Sequence, residues 1–288
     1  MGCDEIGVAR SALSELEKSR PSGINRGGWK LMVGFSFDLS GRTALVTGAS
    51  SGIGRRFARL LSAAGARVVV GARRTELLDE LCAEIRAEGG EAVAVAMDVG
   101  DEGSTIAAFD AAEDAFGSVD TVVVNAGISP AGSALGLAVE DFDATMAINL
   151  RGAFLSAREG ARRMVAAGVA ETGRGRIVLI GSVTGHHTFP GIVSYGASKA
   201  AVAQMGKLLA KDWATKGINV NTIAPGYMAT DMTNSLWEIE KGRKLLAGFP
   251  RQRLMEVDAL DPMLLYLCSD VSAPVTGGIF TVDDGQTL

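Results

Sequence analysis

Tyr195 and Lys199 stand four residues apart in Ser194-Tyr195-Gly196-Ala197-Ser198-Lys199, so on a helix they share one face. An ammonium beside a phenol stabilises the phenolate and draws its pKa down from about 10, which makes tyrosine a usable general acid and base. Ser182 follows the apolar run 177–180, at the end of a candidate strand, where open α/β sheets gather their reacting groups. Alone, a Tyr-x-x-x-Lys pair more often forms a solvated helix face. Its weight here comes from what accompanies it.

The first companion is Thr47-Gly48-Ala49-Ser50-Ser51-Gly52-Ile53-Gly54, between the apolar run 44–46 and a helical stretch over 55–64. Glycines let the backbone turn sharply and approach a pyrophosphate, and the helix that follows offers free N–H groups at the positive end of its dipole. The spacing is G-x-x-x-G-x-G, not the G-x-G-x-x-G of the general dinucleotide fingerprint. Such a turn can also serve packing alone, but a dinucleotide belongs after the first strand and before a helix.

These groups need a frame, and the chain supplies one from Asp38 onward. Short β-branched runs recur at 44–46, 68–70, 93–95, 121–124, 177–180, 218–223 and 279–282. Most are apolar throughout, as for parallel strands covered on both faces. Between them, Leu77, Leu78, Leu81 and Ile85 share a helix face, as do Ile106, Phe109, Ala112 and Phe116, and later Val202, Met205, Leu209 and Trp213. This alternation predicts right-handed βαβ crossovers in one α/β domain over 37–288: a doubly wound parallel sheet (Rossmann fold) of about seven strands flanked by helices.

Residues 1–36 lack the apolar core of a secretory signal. They are expected to be a disordered extension, with an arm packed on a partner subunit through Leu13, Leu16 and Trp29 as the alternative. The net charge of −5, with scattered basic residues, lacks the stripe a nucleic-acid binder needs, and no apolar run is long enough to span a membrane. Cys3, Cys82 and Cys268 are far apart, which indicates neither a disulfide framework nor a metal site and fits a cytoplasmic compartment.

Taken together, these motifs resemble the compact, single-domain short-chain dehydrogenases/reductases, from about Leu39 to the C-terminus. The resemblance implies a cofactor signature at Gly48, Ser50, Ser51, Gly52, Ile53 and Gly54. It implies adenine contacts at Asp98 and Val99, and a sheet-steadying element at Asn125, Ala126 and Gly127. Pro225, Gly226 and Thr230 match the stretch that grips the nicotinamide side. Asn149, Ser182, Tyr195 and Lys199 match a catalytic tetrad in which Asn149 holds a water, Ser182 and Tyr195 bind the carbonyl oxygen, and Lys199 lowers the Tyr195 pKa and binds the nicotinamide ribose. The family also suggests a homotetramer or homodimer, with helices around 141–166 and 195–213 at one interface and 281–288 contributing to another.

Where NAD-binding relatives carry an acid after the second strand, this chain has Ala72, followed by Arg73 and Arg74. Arginine suits a 2′-phosphate, so NADP(H) is the expected cofactor, with NAD(H) the alternative. Ser51 stands where some NADP enzymes of the family carry a base.

The expected partner is a small carbonyl or alcohol substrate, chosen by the segment 227–253 and the loop after Ser182. Met228, Met232, Leu236, Trp237 and Phe249 are candidates for an apolar lid. His186 and His187 are candidate substrate contacts, with solvated loop residues as the plainer reading. Arg158, Arg162 and Arg163 would attract an acidic carrier protein if they are not simply a solvated face. The leading expectation is a ketone or 3-oxoacyl-type reductase. The alternatives are an alcohol, sugar or polyol (gluconate-like) dehydrogenase acting oxidatively, and a non-catalytic NADP(H)-binding sensor.

Overall fold

The computed structural model describes residues 37–288 apart from 131, 231–232 and 234–236; the expectations for 1–36, Met232 and Leu236 lie outside the described residues. Seven strands, β1 (Thr43–Thr47), β2 (Arg67–Ala72), β3 (Ala92–Ala96), β4 (Thr121–Val124), β5 (Gly175–Ile180), β6 (Ile218–Pro225) and β7 (Ile279–Val282), form one sheet in the order β3-β2-β1-β4-β5-β6-β7. Every pairing is parallel.

Alternate strand residues feed two separate cores, which is why the runs read as continuously apolar. Ala44, Val46, Val68, Val70, Val178 and Ile180 pack on one face with Phe57, Leu61, Leu78, Leu81, Leu264 and Leu267. These come from helices α1 (Gly52–Ala63), α2 (Thr75–Ala87) and α8 (Asp261–Cys268). Leu45, Val69, Val122, Val124, Ile177 and Leu179 face the other way, onto Phe109, Ala157, Met164, Val202 and Leu209. These belong to α3 (Glu102–Phe116), α5 (Ala153–Ala166) and α6 (Val193–Trp213). Phe57 and Phe109 are fully buried on opposite faces, and truncating such a ring to alanine costs about 3–5 kcal/mol.

Two features position the site. The strand order reverses at β1, with Ala44 opposite Thr121 and Val46 opposite Val123, so the carboxyl ends of β1 and β4 open a crevice. Between α4 (Val139–Met146) and α5 the helix widens into i→i+5 bonding over Ala147–Gly152, the segment that carries Asn149. The inserted residue turns Asn149 inward, and its side chain is buried. Another helix, α7 (Glu240–Gly248), lies in the segment expected to choose the substrate.

Candidate active site

The Gly-rich turn is shaped by close approaches. A Cβ at Gly48 would sit 2.8 Å from Ala126 Cα, and one at Gly54 would press on the Gly48 carbonyl oxygen and come within 2.5 Å of Asn125 Nδ2. Asn125 Nδ2 donates to the carbonyl oxygens of Thr47 (3.0 Å) and Gly48 (3.3 Å), while Thr47 Oγ1 accepts from the backbone N–H groups of Asn125 (3.0 Å) and Ala126 (3.1 Å). The turn is thereby locked to the end of β4. Ser51 is the residue before α1, yet its side chain caps no backbone N–H, so the first donors of the helix have no side-chain acceptor. An exposed helix start of this kind suits a pyrophosphate.

Behind the turn, Arg74 Nη2 donates to Ser50 Oγ (2.9 Å) and Ser51 Oγ (3.0 Å), which sets a guanidinium beside two hydroxyls at the rim. Asp98 is fixed by its own turn: its Oδ1 accepts from Gly100 N at 3.0 Å, and its N–H donates to Ser104 Oγ at 2.9 Å.

Asn149 is fully engaged. Its Oδ1 accepts from Ile128 N (2.8 Å), and its Nδ2 donates to Ile128 O (2.9 Å) and Ser198 Oγ (3.0 Å). It therefore ties the loop after Gly127 to α6, the helix of Tyr195 and Lys199. Tyr195 and Ser182 line the same cleft, and Ser182 Oγ accepts from Thr184 N (3.2 Å) and Thr184 Oγ1 (3.0 Å). Lys199 is buried, its Nζ 5.5 Å from the Tyr195 ring centroid and donating to Ile180 O at 2.7 Å.

The electrostatics differ from the expectation in one respect. Burial pushes the Tyr195 pKa up, and the nearby Ser182 hydroxyl only partly offsets it. Burial also lowers Lys199 to about 8, so its own charge is disfavoured and it is turned to a carbonyl oxygen. The expected lowering of Tyr195 by Lys199 is not what this geometry gives.

One cleft of about 760 Å³ joins these groups. Gly48, Ser50, Ser51, Gly52, Ile53, Ala72, Arg73, Arg74, Asp98, Val99, Asn125, Ala126, Gly127, Ser182, Tyr195, Lys199, Pro225, Gly226 and Thr230 all line it. Gly54 and Asn149 lie behind its wall. His186 and His187 are exposed and not among the lining residues; His186 Nε2 lies 3.5 Å from Thr281 Oγ1. Arg158, Arg162 and Arg163 are each paired with acids: Arg158 with Glu102, Arg162 with Glu159, and Arg163 with Glu159, Glu113 and Asp110.

Sequence reasoning passed over several groups that build the site. Thr47 and Ser198 act through single hydroxyls next to recognised motifs. Gln286 is buried and grips Tyr227 through both backbone groups, its Oε1 accepting from Tyr227 N (2.6 Å) and its Nε2 donating to Tyr227 O (3.0 Å). Phe189 and Trp237 meet the Tyr227 ring edge-on at 5.2 and 5.5 Å, and Phe249 stacks on it at 5.9 Å. Trp237 and Phe249 are candidates for the apolar lid, but nothing in the spacing announces that they gather with Phe189 on Tyr227.

A doubly wound sheet with a glycine-rich turn at its switch point, and a Ser–Tyr–Lys group at the other end of the same cleft, defines a dinucleotide-dependent oxidoreductase. The short chain dehydrogenase family pattern matches residues 42–241, and the chain belongs to that family, the short-chain dehydrogenases/reductases. It is 35% identical over 259 residues to a D-threitol dehydrogenase of Mycolicibacterium smegmatis, covering 90% of this chain and 98% of the relative. It is 36% identical over 252 residues to a 3-oxoacyl-[acyl-carrier-protein] reductase of Synechocystis, covering 87% and 98%. Among solved structures, a gluconate 5-dehydrogenase from Burkholderia cenocepacia in complex with NADP and tartrate superposes with a TM-score of 0.82 at 36% identity, covering 88% of this chain and 97% of that one. Among the described residues, no helix is long and apolar enough to cross a membrane.

Proposed function

We propose that the chain interconverts a ketone and its secondary alcohol with NADP(H), and that Tyr195 gives or takes the proton. The observation that carries this reading is Ser182, Tyr195 and Lys199 lining the same cleft as the open start of α1.

The residues present fit a dinucleotide. Gly48 to Ile53 would receive the pyrophosphate, Asp98 and Val99 the adenine, and Pro225, Gly226 and Thr230 the nicotinamide side. Arg74, held on Ser50 and Ser51, together with Arg73 and the uncharged Ala72, favours a 2′-phosphate over a free ribose hydroxyl. The solved relative bound to NADP supports the same choice. When bound, the nicotinamide supplies or accepts the hydride.

The chain's own groups handle the oxygen and its proton. Ser182 and Tyr195 present two hydroxyl donors to the carbonyl oxygen, where negative charge grows during reduction. Tyr195, whose pKa burial holds up, passes its proton to the alkoxide. Lys199 is placed to bind the ribose and to follow the proton as Tyr195 changes state. Asn149 keeps the 125–128 loop and α6 in register.

Titrating the protein with NADPH and NADH, followed by a ketone panel, tests the assignment. Tighter NADPH binding and ketone-dependent oxidation that requires Tyr195 are expected. The threitol and gluconate relatives favour a second reading, oxidation of a polyol, and alcohol-dependent NADP reduction exceeding ketone reduction would support it.

We also infer a homotetramer or homodimer. The apolar side chains of Met146, Leu150, Phe154 and Met205 form a shallow surface depression across α4, the widened turn, α5 and α6, and Phe154, Val165 and Leu208 are exposed. A monomeric mass by light scattering would remove this. Free, buried thiols at Cys82 and Cys268 are in keeping with a reducing cytoplasm.

A further inference from the structure

The two ends of the cleft differ in charge. Arg73, Arg74 and Asp98 stand around the glycine-rich turn, and Lys199 is buried with its ammonium on the Ile180 carbonyl oxygen. The wall beside Tyr195 is built by Phe189, Ile192, Tyr227, Met228, Ile239 and Leu245. Among the described residues, no charged side chain lines that wall. Thr230 and Thr233, which also line the cleft, direct their hydroxyls to each other at 3.2 Å, and Thr233 Oγ1 donates to Met228 O.

We infer that the site takes an uncharged carbonyl compound with apolar substituents, aryl or alkyl, and that Tyr227 sets this preference. The inference deepens the proposed ketone reduction and rests on it. A carboxylate against this wall would lose its hydration and find no cation on the wall among the described residues, the Lys199 ammonium being held on Ile180 O, and a hydroxylated chain would exchange water for few partners. An apolar substituent loses nothing by the transfer. Ile239, at the rim, is 50% exposed, and such a substituent would cover it.

Tyr227 is built to be a fixed surface. Its ring is held by Phe189, Trp237 and Phe249, and its backbone by both ends of the Gln286 amide. It lines the same cleft as Tyr195. The surface of α5 argues against a carrier-bound thioester for the same kind of reason. Its three arginines are already neutralised by Glu102, Asp110, Glu113 and Glu159, which leaves them little to offer an acidic carrier.

The test is steady-state NADPH oxidation by the full chain with acetophenone, an unbranched methyl alkyl ketone, 5-keto-gluconate and erythrulose. The better apolar ketone is expected to exceed both sugar-derived substrates in kcat/KM by roughly tenfold or more. Tyr227→Ala should raise KM for that ketone about tenfold, with NADPH affinity held within about twofold. Leu245→Arg, on a half-buried position of α7, should lower kcat/KM for the apolar ketone and raise it for 5-keto-gluconate. It keeps the test intact if Tyr227→Ala fails to fold. Equal or higher kcat/KM for 5-keto-gluconate or erythrulose in the unmodified protein overturns this substrate class and leaves ketone reduction standing. NADPH binding with no turnover of any of the four overturns the proposed function, and this inference with it.

Discussion

The ammonium of Lys199 donates to the carbonyl oxygen of Ile180 at 2.7 Å, at the last residue of β5 and two positions before Ser182. A buried cation is thus tethered to the strand end that carries its catalytic neighbour. Because burial lowers Lys199 from 10.5 to about 8, the native state binds this proton less tightly than the unfolded chain does. The penalty is complete below about 8, and stability from this group rises with pH between about 8 and 10.5. Lys199→Met should abolish turnover yet melt no lower than the parent at pH 8. Its advantage in Tm should shrink as the pH approaches 10.5. A melting temperature well below the parent at both values would show the lysine to be a net structural asset.

Tyr195→Phe is expected to lower kcat by about three orders of magnitude or more while NADPH affinity changes less than about twofold. With the Tyr195 pKa raised by burial, ketone reduction should hold its rate through neutral pH. Alcohol oxidation, which needs the phenol deprotonated or readily so, should climb with pH. Rate profiles measured in both directions on the same preparation decide this, and a phenol titrating below neutral pH would contradict it.

Arg74→Ala removes the guanidinium from Ser50 and Ser51 at the rim of the turn. The Kd for NADPH should rise about tenfold or more, while that for NADH moves little, because only the former carries the 2′-phosphate. Equal weakening of both cofactors in a fluorescence titration would place Arg74 in general scaffolding.

Asn125→Ala leaves the carbonyl oxygens of Thr47 and Gly48 without their side-chain donor. A loss of about 1–3 kcal/mol in denaturant unfolding is expected, with weakened binding of both cofactors. Gly54→Ala should be at least as damaging to cofactor binding, since its Cβ would collide with the same clamp. Unchanged affinity in either variant would show that the turn is held by other means.

Gln286→Leu keeps most of the side-chain volume and removes both hydrogen bonds to Tyr227. The KM for ketone should rise several-fold with kcat nearly kept, and NADPH affinity should be unaffected. A fall in kcat with KM constant would put Gln286 in the chemistry of Tyr195 instead.

Much of this arrangement could be read from the residues alone. The run 121–124 is β4 and 279–282 is β7, residue for residue: β4 is β-branched and buried on both sides, and β7, a half-buried edge strand, is made of residues that favour extended chain. The Gly-rich turn, Ser182, Tyr195 and Lys199 were legible because each lies at a strand end or on a helix face set by local sequence. What escaped depends on contacts made far along the chain. The i→i+5 turn around Asn149 leaves no mark on hydrophobic spacing, and Gln286 meets Tyr227 only after β7 has joined the sheet. The Lys199 electrostatics follow from burial and from a carbonyl on another strand. The pairing of Arg163 with Glu113 and Asp110 required α3 and α5 to be set side by side.

The clamp of Asn125 on Thr47 and Gly48 also orders events in time. Its two halves are 78 and 77 residues apart, and they meet only when β4 pairs with β1 at the middle of the sheet. Contacts of such long sequence separation form late and slowly. The segment 43–63 can therefore collapse early as strand, turn and helix without yet being able to grip a pyrophosphate. During refolding, helical signal should return before cofactor binding does, and a chain cut short before β4 should gain no thermal protection from NADPH.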